Sequence, residues 1–267
     1  MKILFNTDQI HMHGGIEKIM ATKVNYWANL PNVEVYIITT EQQGKKPCYE
    51  IDARVKLIDL GINYNRSKSY FSKENIGKAM LHFQKQKAFF NEINPDVIIS
   101  PNFNFDHYWL PFIKWNSKLI KERHSSRYLE PNQRKRASVL GKLKFQFTDW
   151  IESKYNHIVV LNPDEAKYVK TRNAVVIPNP IDPTLFYVHL QNKQVMAAGR
   201  IAPIKGFDQL IEAWKLVHHQ APDWQLHIYG DNYGSTQQEL EGLIKKYHLE
   251  KVIYLKGSVD NLPEKMV

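Results

Sequence analysis

The chain has 267 residues, 43% of them hydrophobic and 12% aromatic, which excludes a disordered protein and allows two domains of ordinary size. Its single cysteine, Cys48, excludes an internal disulfide framework and favours a reducing, cytoplasmic location. No apolar run approaches the ~18 residues of a membrane span, and the apolar start at Met1 is too short for a signal peptide.

The net charge of +9 is unevenly distributed along the chain. Residues 188–267 have nine basic and nine acidic residues, so the whole excess belongs to residues 1–187. The segment 114–144, which begins at Lys114 and ends at Lys144, has ten basic residues against two acidic ones, a local charge of +8. Such a block predicts an anionic partner, such as a phospholipid surface, a polyanion or an acidic substrate.

Strands and helices alternate through the first part of the chain. Strands are predicted at 2–6, 34–40, 55–60, 96–100, 119–123 and 157–161. One helix begins at Gly14-Gly15, and a second is predicted from the N-cap Ser72 to about Ile93. A long basic helix is predicted over 131–155. Its apolar stripe of Val139, Leu140, Leu143, Phe147, Trp150 and Ile151 is expected to face the core. This alternation predicts an α/β fold with a doubly wound parallel sheet.

The proline-rich segment 175–183 ends this first domain, because closely spaced prolines continue neither a helix nor a central strand. The predicted domains are therefore 1–187 and 188–267. In the second domain we predict strands at 195–198, 225–229 and 252–256. A helix is expected from Phe207, and another over the stretch containing Leu240 and Ile244.

The loop between the first strand and first helix of this second domain has two glycines and two cations. Gly199 and Gly206 bound it, and Arg200 and Lys205 lie within it. Loops at the carboxyl ends of parallel strands bind ligands, and a helix N-terminus favours an anion. A phosphate site is one interpretation; a surface loop with two solvated charges is the other. Gly14-Gly15 bounds a comparable loop in the first domain, but it is not the G-x-G-x-x-G of dinucleotide-binding proteins.

Six stretches in one order resemble a known family. They are HGGIEK at 13–18, ERHSS at 122–126, VVIPNPID at 175–182, AAGRIAPIKGFDQLIEAW at 197–214, LHIYGD at 226–231 and VIYLKGSVDN at 252–261. Together they resemble the family-4 retaining glycosyltransferases. That resemblance implies the GT-B architecture, two Rossmann-like domains facing a cleft, with an acceptor-side first domain and a second domain that takes the nucleotide-sugar donor.

By position, the resemblance implies roles for seven residues. Arg200 and Lys205 match the pair that grips the donor diphosphate, and Gly14 and Gly15 match the glycines that approach the same region. His124 matches a histidine beside the transferred sugar. Ser258 and Val259 match positions near the nucleotide base.

The resemblance further implies metal-independent transfer of a sugar, with retention, to a cell-surface glycan or a lipid-linked acceptor in polysaccharide or lipopolysaccharide synthesis. No cofactor is expected besides the donor, and no aspartates are spaced as Asp-x-Asp. The basic block suggests peripheral contact with the inner face of a membrane. Nucleic acid is not an expected partner, because the aromatic residues of the block fall on the predicted core stripe.

Two alternatives stay open at this point. One is a non-catalytic remnant or interaction module that retains the fold without the reaction. A metal site at His11 and His13 is the other, although two histidines on a loop lack a third ligand. The sequence also predicts a second domain that is incomplete, because 188–267 has only three clear strands and stops at the opening of a helix.

Overall fold

Two parallel β-sheets organise the chain, one in each of two units, Met1–Ile181 and Asp182–Val267. The computed structural model describes residues 1–69, 71–101, 104–181, 192–232, 234–259 and 262–265. The domain boundary predicted between 187 and 188 lies in the segment 182–191, outside the described residues. Strands alternate with helices in both units, which confirms the predicted α/β class.

The first unit has, within the described residues, a sheet of seven parallel strands in the order β3-β2-β1-β4-β5-β6-β7. The strands are β1 (Lys2–Asn6), β2 (Glu34–Thr39), β3 (Lys56–Asp59), β4 (Val97–Ser100), β5 (Lys118–Glu122), β6 (His157–Val160) and β7 (Ala174–Val176). The first six confirm the predicted strands to within a residue at each end. β7 was not predicted, because its three residues lie at the edge of the proline-rich segment. The strand order reverses between β1 and β4, and such a reversal leaves a crevice at the carboxyl edge of a sheet.

Helices cover both faces of this sheet. They are α1 (Gly15–Ala28), α2 (Lys73–Ile93), α3 (Leu110–Ile113), α4 (Glu130–Arg136), α5 (Val139–Glu152) and α6 (Pro163–Ala166), with a 3₁₀ helix at Phe105–Tyr108. Ser72 caps α2 as predicted, since its hydroxyl accepts a hydrogen bond from the Asn75 amide at 3.3 Å. Alternation along β1 sends Leu4 into one core cluster and Phe5 into the other.

The predicted long helix over 131–155 is wrong in two respects. It is broken into α4 and α5 at Ala137, whose backbone is extended, and Ser138 caps α5 by accepting from the Gly141 amide at 3.3 Å. Of the predicted stripe only Ile151 is buried, while Val139, Leu140, Leu143, Phe147 and Trp150 are exposed. The core beneath this part of the sheet is already filled by Leu110 and Ile113 of α3 together with Ile151. The stripe therefore has no place left in the core.

The second unit has, among its described residues, a sheet of three parallel strands in the order β10-β9-β8. The strands are β8 (Gln194–Ala198), β9 (Gln225–Tyr229) and β10 (Ile253–Gly257), and the helices are α7 (Phe207–Gln220), α8 (Thr236–Lys246) and α9 (Leu262–Lys265). Phe207, Ile211 and Trp214 of α7 pack on this sheet in one buried cluster, as their spacing predicts. No helix in the described ranges of either unit combines the length and the apolar composition needed to cross a bilayer.

Candidate functional site

Glycines mark the carboxyl ends of the three strands in the second unit. Gly199 follows β8, Gly230 follows β9 and Gly257 ends β10. The Gly230 amide donates to the Gly257 carbonyl at 2.9 Å, and the Gly199 amide donates to the Tyr229 carbonyl at 2.9 Å. A β-carbon at Gly230 would overlap the carbonyl oxygen of Gly199, so the two backbones come this close only because Gly230 has no side chain. The result is an edge of bare backbone that a ligand can approach.

Arg200 and Lys205 lie on the loop that leaves this edge after β8. The loop is held to β9 because the Ile201 amide donates to the Asp231 carbonyl at 2.8 Å. Lys205 ends a 3₁₀ helix, Pro203–Lys205, and its side chain folds back over Gly199. A β-carbon at Gly199 would be 3.7 Å from both Cδ and Cε of Lys205. Within the described part of the chain Lys205 has no ion-pair partner, so its ammonium is available to an anion at this loop.

The N-terminus of α7 adds a third source of positive potential to this loop. Gly206, in the left-handed conformation with a φ of 66°, precedes the helix and offers no side chain to cap it. The first-turn amides of this 14-residue helix are therefore left for water or a ligand. Asp208 in this first turn opposes an anion, whereas the free amides, the helix dipole and the Lys205 ammonium favour one such as a diphosphate. The structure thus collects the predicted phosphate-binding features on one loop.

Ser258 and Val259 lie at the same edge of the second sheet, directly after β10. Ser258 is exposed and Val259 is half-buried. Ser258 and Val259 follow β10, and Arg200 follows β8. One strand, β9, lies between these two in the sheet. Neighbouring strands are ~4.8 Å apart, so the two groups are separated by about 10 Å across the edge. Their predicted contact with a nucleotide base stays a prediction.

Gly14 and Gly15 lie at the start of α1 in the first unit. A β-carbon at Gly15 would meet no atom within 4 Å, so packing within the protein does not demand a glycine there. At Gly14 a β-carbon would overlap the Glu17 carboxylate, which accepts a hydrogen bond from Gln9 at 2.8 Å. This helix terminus already has an acidic neighbour that opposes an incoming anion. A diphosphate role for the two glycines stays a prediction.

His124 lies just beyond the end of β5, where its ring contacts a buried carboxylate. His124 Nε2 is 3.2 Å from Glu122 Oε2, and the ammonium of Lys23 on α1 is 2.7 Å from Glu122 Oε1. Burial raises the pKa of Glu122, but the hydrogen bond from His124 and the charge of Lys23 outweigh it, so the pKa lies below its ordinary value. Glu122 is therefore ionised at neutral pH. An ionised acceptor at Nε2 holds a proton on that nitrogen.

The loop that bears His124 is anchored on both sides by buried ion pairs. Arg123 and Arg127 both contact the carboxylate of Glu152 on α5, which is completely buried, and Arg127 Nη2 is 2.5 Å from Glu152 Oε1. Burial lowers the pKa of Arg123, and the neighbouring charge of Arg127 lowers it further, so the two cations depend on Glu152. Glu165 accepts from the Ser126 hydroxyl at 2.6 Å. These contacts hold the imidazole in a fixed position before any ligand arrives.

Four residues around His124 were not predicted from the sequence: Glu122, Lys23, Glu152 and Glu165. Glu122 could have been predicted, because it precedes His124 by two positions, and residues i and i+2 of an extended chain point to the same side. The other three contacts span many residues, for example the pair of Lys23 and Glu122, and only the fold brings such residues together.

His11 and Cys48 have local roles in the structure. His11 Nε2 is 3.4 Å from the Lys45 ammonium, and in the described ranges no three His, Cys, Asp or Glu side chains are grouped as a metal site. Burial raises the pKa of the Cys48 thiol to about 11, and the charge of Glu17 adds to the effect. The thiol is therefore protonated at neutral pH and unreactive.

Comparison with known proteins agrees with this geometry. Residues 188–266, which include the loop of Arg200 and Lys205, match the family described as Glycosyl transferases group 1. An uncharacterized glycosyltransferase of Haemophilus influenzae is 26% identical over 257 residues, which are 93% of this chain and 67% of that protein. The chain is a glycosyltransferase of the GT-B fold.

Two further similarities are of different kinds. An amylovoran biosynthesis glycosyltransferase of Erwinia amylovora is 45% identical over 65 residues, which are 24% of this chain and 17% of that protein. The crystal structure of Anabaena Alr3699/HepE in complex with UDP-glucose superposes with a TM-score of 0.68 at 17% identity, covering 99% of this chain and 71% of that one. At that identity the similarity establishes the fold, including the smaller second domain. This glycosyltransferase thus spans about two thirds of the length of the Haemophilus protein and 71% of the Anabaena chain.

Proposed function

We propose that this glycosyltransferase transfers a sugar from a nucleotide-sugar donor, with retention, to a glycan or lipid-linked acceptor in polysaccharide or lipopolysaccharide synthesis. The acceptor class is supported by the Erwinia relative, whose name assigns it to amylovoran biosynthesis. A donor of this kind is supported by the Anabaena structure, which contains UDP-glucose. The main observation is that Lys205 folds over Gly199, beside Arg200 and the uncapped N-terminus of α7.

The reaction exchanges one glycosidic bond for another. The bond between the anomeric carbon and the diphosphate oxygen breaks, the acceptor hydroxyl oxygen bonds to that carbon, and the hydroxyl proton passes to the departing diphosphate or to water. Negative charge grows on the departing nucleoside diphosphate. Fixed cations and helix amides next to that oxygen stabilise the transition state more than the ground state. Arg200, Lys205 and the first turn of α7 supply such groups.

His124 is proposed to contact the transferred sugar. With its Nε2 proton held by Glu122, the ring in its neutral form would present Nδ1 as an acceptor for a sugar hydroxyl. Glu122 acts here as a positioning residue through the histidine. We assign no general-base role to His124. We expect no divalent ion to be required, since two cations on the loop take over the charge neutralisation that a metal supplies elsewhere.

Calorimetric titration with UDP and with GDP tests the donor site. Lys205→Ala and Arg200→Ala each remove a charge-assisted hydrogen bond, typically worth roughly 1.5–3 kcal/mol, so affinity should fall about tenfold or more. Lys251→Ala is a matched control, because it removes one exposed lysine of the same unit away from the loop. Its affinity should equal that of the wild type. Equal affinity for the wild type and both loop variants would remove the site assignment.

Two further measurements test the rest of the proposal. Affinity should be the same in EDTA as in magnesium, and a requirement for the metal would contradict metal-independent binding. Incubation with UDP-glucose and other nucleotide sugars should release nucleoside diphosphate. Binding without release, across a panel of donors and lipid-linked or glycan acceptors, would favour the non-catalytic module.

A further inference from the structure

The exposed face of α5 is unusual for a helix of a folded domain. Val139, Leu140, Leu143, Phe147 and Trp150 have between 46% and 78% of their surface exposed. At 100° per residue these five side chains fall within an arc of about 100° on the helix. They form one continuous apolar stripe along the 14 residues of α5, roughly 20 Å in length. A contiguous apolar surface of this kind marks a contact site.

Aromatic side chains extend the stripe beyond α5. The rings of Phe147 and Trp150 stack with centroids 5.8 Å apart, and the ring of Phe112 on α3 lies 5.8 Å from that of Trp150. Phe112 is itself exposed. The face therefore combines aliphatic residues at one end of α5 with an aromatic cluster at the other.

Lysines flank the stripe on both sides. On the helical wheel Lys142 lies about 60° to one side of it and Lys144 about 40° to the other. The ammonium of Lys154 lies 5.3 Å from the Trp150 ring centroid. In the described ranges none of these three lysines has an ion-pair partner. The charge of the surface is therefore uncompensated.

The basic block of the sequence divides into an internal and an external part. Lys121 is fully buried, Arg123 and Arg127 contact Glu152, and Arg134 is paired with Asp149 at 2.6 Å. These pairs also neutralise both acidic residues of α5. The remaining basic side chains, Lys114, Lys118, Lys135, Arg136, Lys142 and Lys144, take no part in an ion pair among the described residues. The surface around the stripe is thus positive, and both acidic side chains of α5 are paired with arginines.

We propose that α5 docks this protein on an anionic lipid bilayer. The helix would lie in the interface plane with its apolar stripe among the acyl chains and its lysines at the headgroups, as amphipathic helices with a basic polar face do. The flanking lysines favour a bilayer over a second copy of the chain as the partner, since two-fold pairing of the stripe would bring lysines against lysines. Aliphatic Val139, Leu140 and Leu143 favour lipid over nucleic acid, because bases stack on aromatic rings.

Vesicle co-sedimentation tests the proposal on the whole chain. Vesicles of phosphatidylcholine with 30% phosphatidylglycerol should bind the protein at low salt, and vesicles of phosphatidylcholine alone should bind it less. The double substitution Leu140→Ser and Leu143→Ser should lower the partition coefficient at least tenfold. Lys142→Gln with Lys144→Gln should lower it by about fivefold per lysine at low salt. At high salt the two lysine substitutions should have little effect, because the charges are screened.

Matched controls come from α7. Leu216→Ser and Lys215→Gln change an exposed leucine and an exposed lysine of the second unit and should leave the partition coefficient unchanged. No binding of the wild type to anionic vesicles, or equal losses in the α5 and α7 variants, would overturn the proposal. Two other results would also contradict it. One is that the protein forms a dimer which the two α5 leucine substitutions dissociate. The other is that these substitutions abolish binding of single-stranded RNA and leave vesicle binding unchanged. Because the readout is lipid partition, failure here leaves the donor-site proposal intact, and failure of nucleotide binding leaves this one intact.

Discussion

Glu152 is the residue on which the first unit should depend most. Its carboxylate is completely buried, contacts Arg123, and accepts from Arg127 Nη1 at 3.2 Å and Nη2 at 2.5 Å. Glu152→Gln removes the negative charge. Arg123 then loses its ion-pair partner, and Arg127 keeps only Glu130, whose Oε2 is 3.2 Å from its Nε. Removing one of the two charges of a buried ion pair lowers the unfolding free energy by about 3–5 kcal/mol. For a domain of this size that corresponds to a melting temperature lower by roughly 6–20 °C.

Thermal and urea unfolding, followed by circular dichroism, measure the effect. Glu212→Gln is the control, because this glutamate on α7 is exposed and receives a single hydrogen bond, from Tyr247 at 3.4 Å. We expect the control to change the unfolding free energy by less than about 0.5 kcal/mol. Since both arginines flank His124, Glu152→Gln should also lower the rate of sugar transfer at temperatures where the protein is still folded. A loss of stability under about 1 kcal/mol would refute the argument that Glu152 compensates the two arginines.

Two further predictions concern stability. Burial lowers the pKa of Lys121 to about 7, so between pH 7 and pH 9 the folded state releases a proton that the unfolded state keeps up to about pH 10. Stability therefore rises with pH in this window. In urea unfolding, the free energy of unfolding of the wild type should increase by about 2 kcal/mol relative to that of Lys121→Met between pH 7 and pH 9. A difference between the two that does not change with pH would contradict the assignment. Gly230→Ala should lower the unfolding free energy by about 2 kcal/mol or more, because its β-carbon would overlap the Gly199 carbonyl. Gly242→Ala is the control, because the added carbon in α8 would have no atom within 4 Å, and it should raise the unfolding free energy by about 0.5–1 kcal/mol. Equal shifts of the melting temperature for the two variants would show that the close backbone approach at Gly230 is unimportant.

The α/β class, six strands of the first sheet and the three described strands of the second could be predicted from the sequence alone. These elements are readable because strands and helices impose periods of 2 and 3.6 on the apolar residues, and glycines and prolines mark their ends. The loop of Arg200 and Lys205 was readable for the same reason. Its strand, its glycines and its helix are consecutive in the chain, so no distant contact was needed to predict it.

The surroundings of the apolar residues of α5 could not be predicted from the sequence and became clear from the fold. Periodicity identifies an apolar side of a helix, but whether that side meets the core depends on the space left by distant elements, here α3 and the sheet. In the same way, composition counts Lys121 and Arg127 as part of a basic block, whereas the fold buries one and pairs the other with Glu152. Local pattern specifies elements through short-range sterics and hydrogen bonds. Burial and charge compensation are set by residues far apart in the chain, and so they appear only once it is folded.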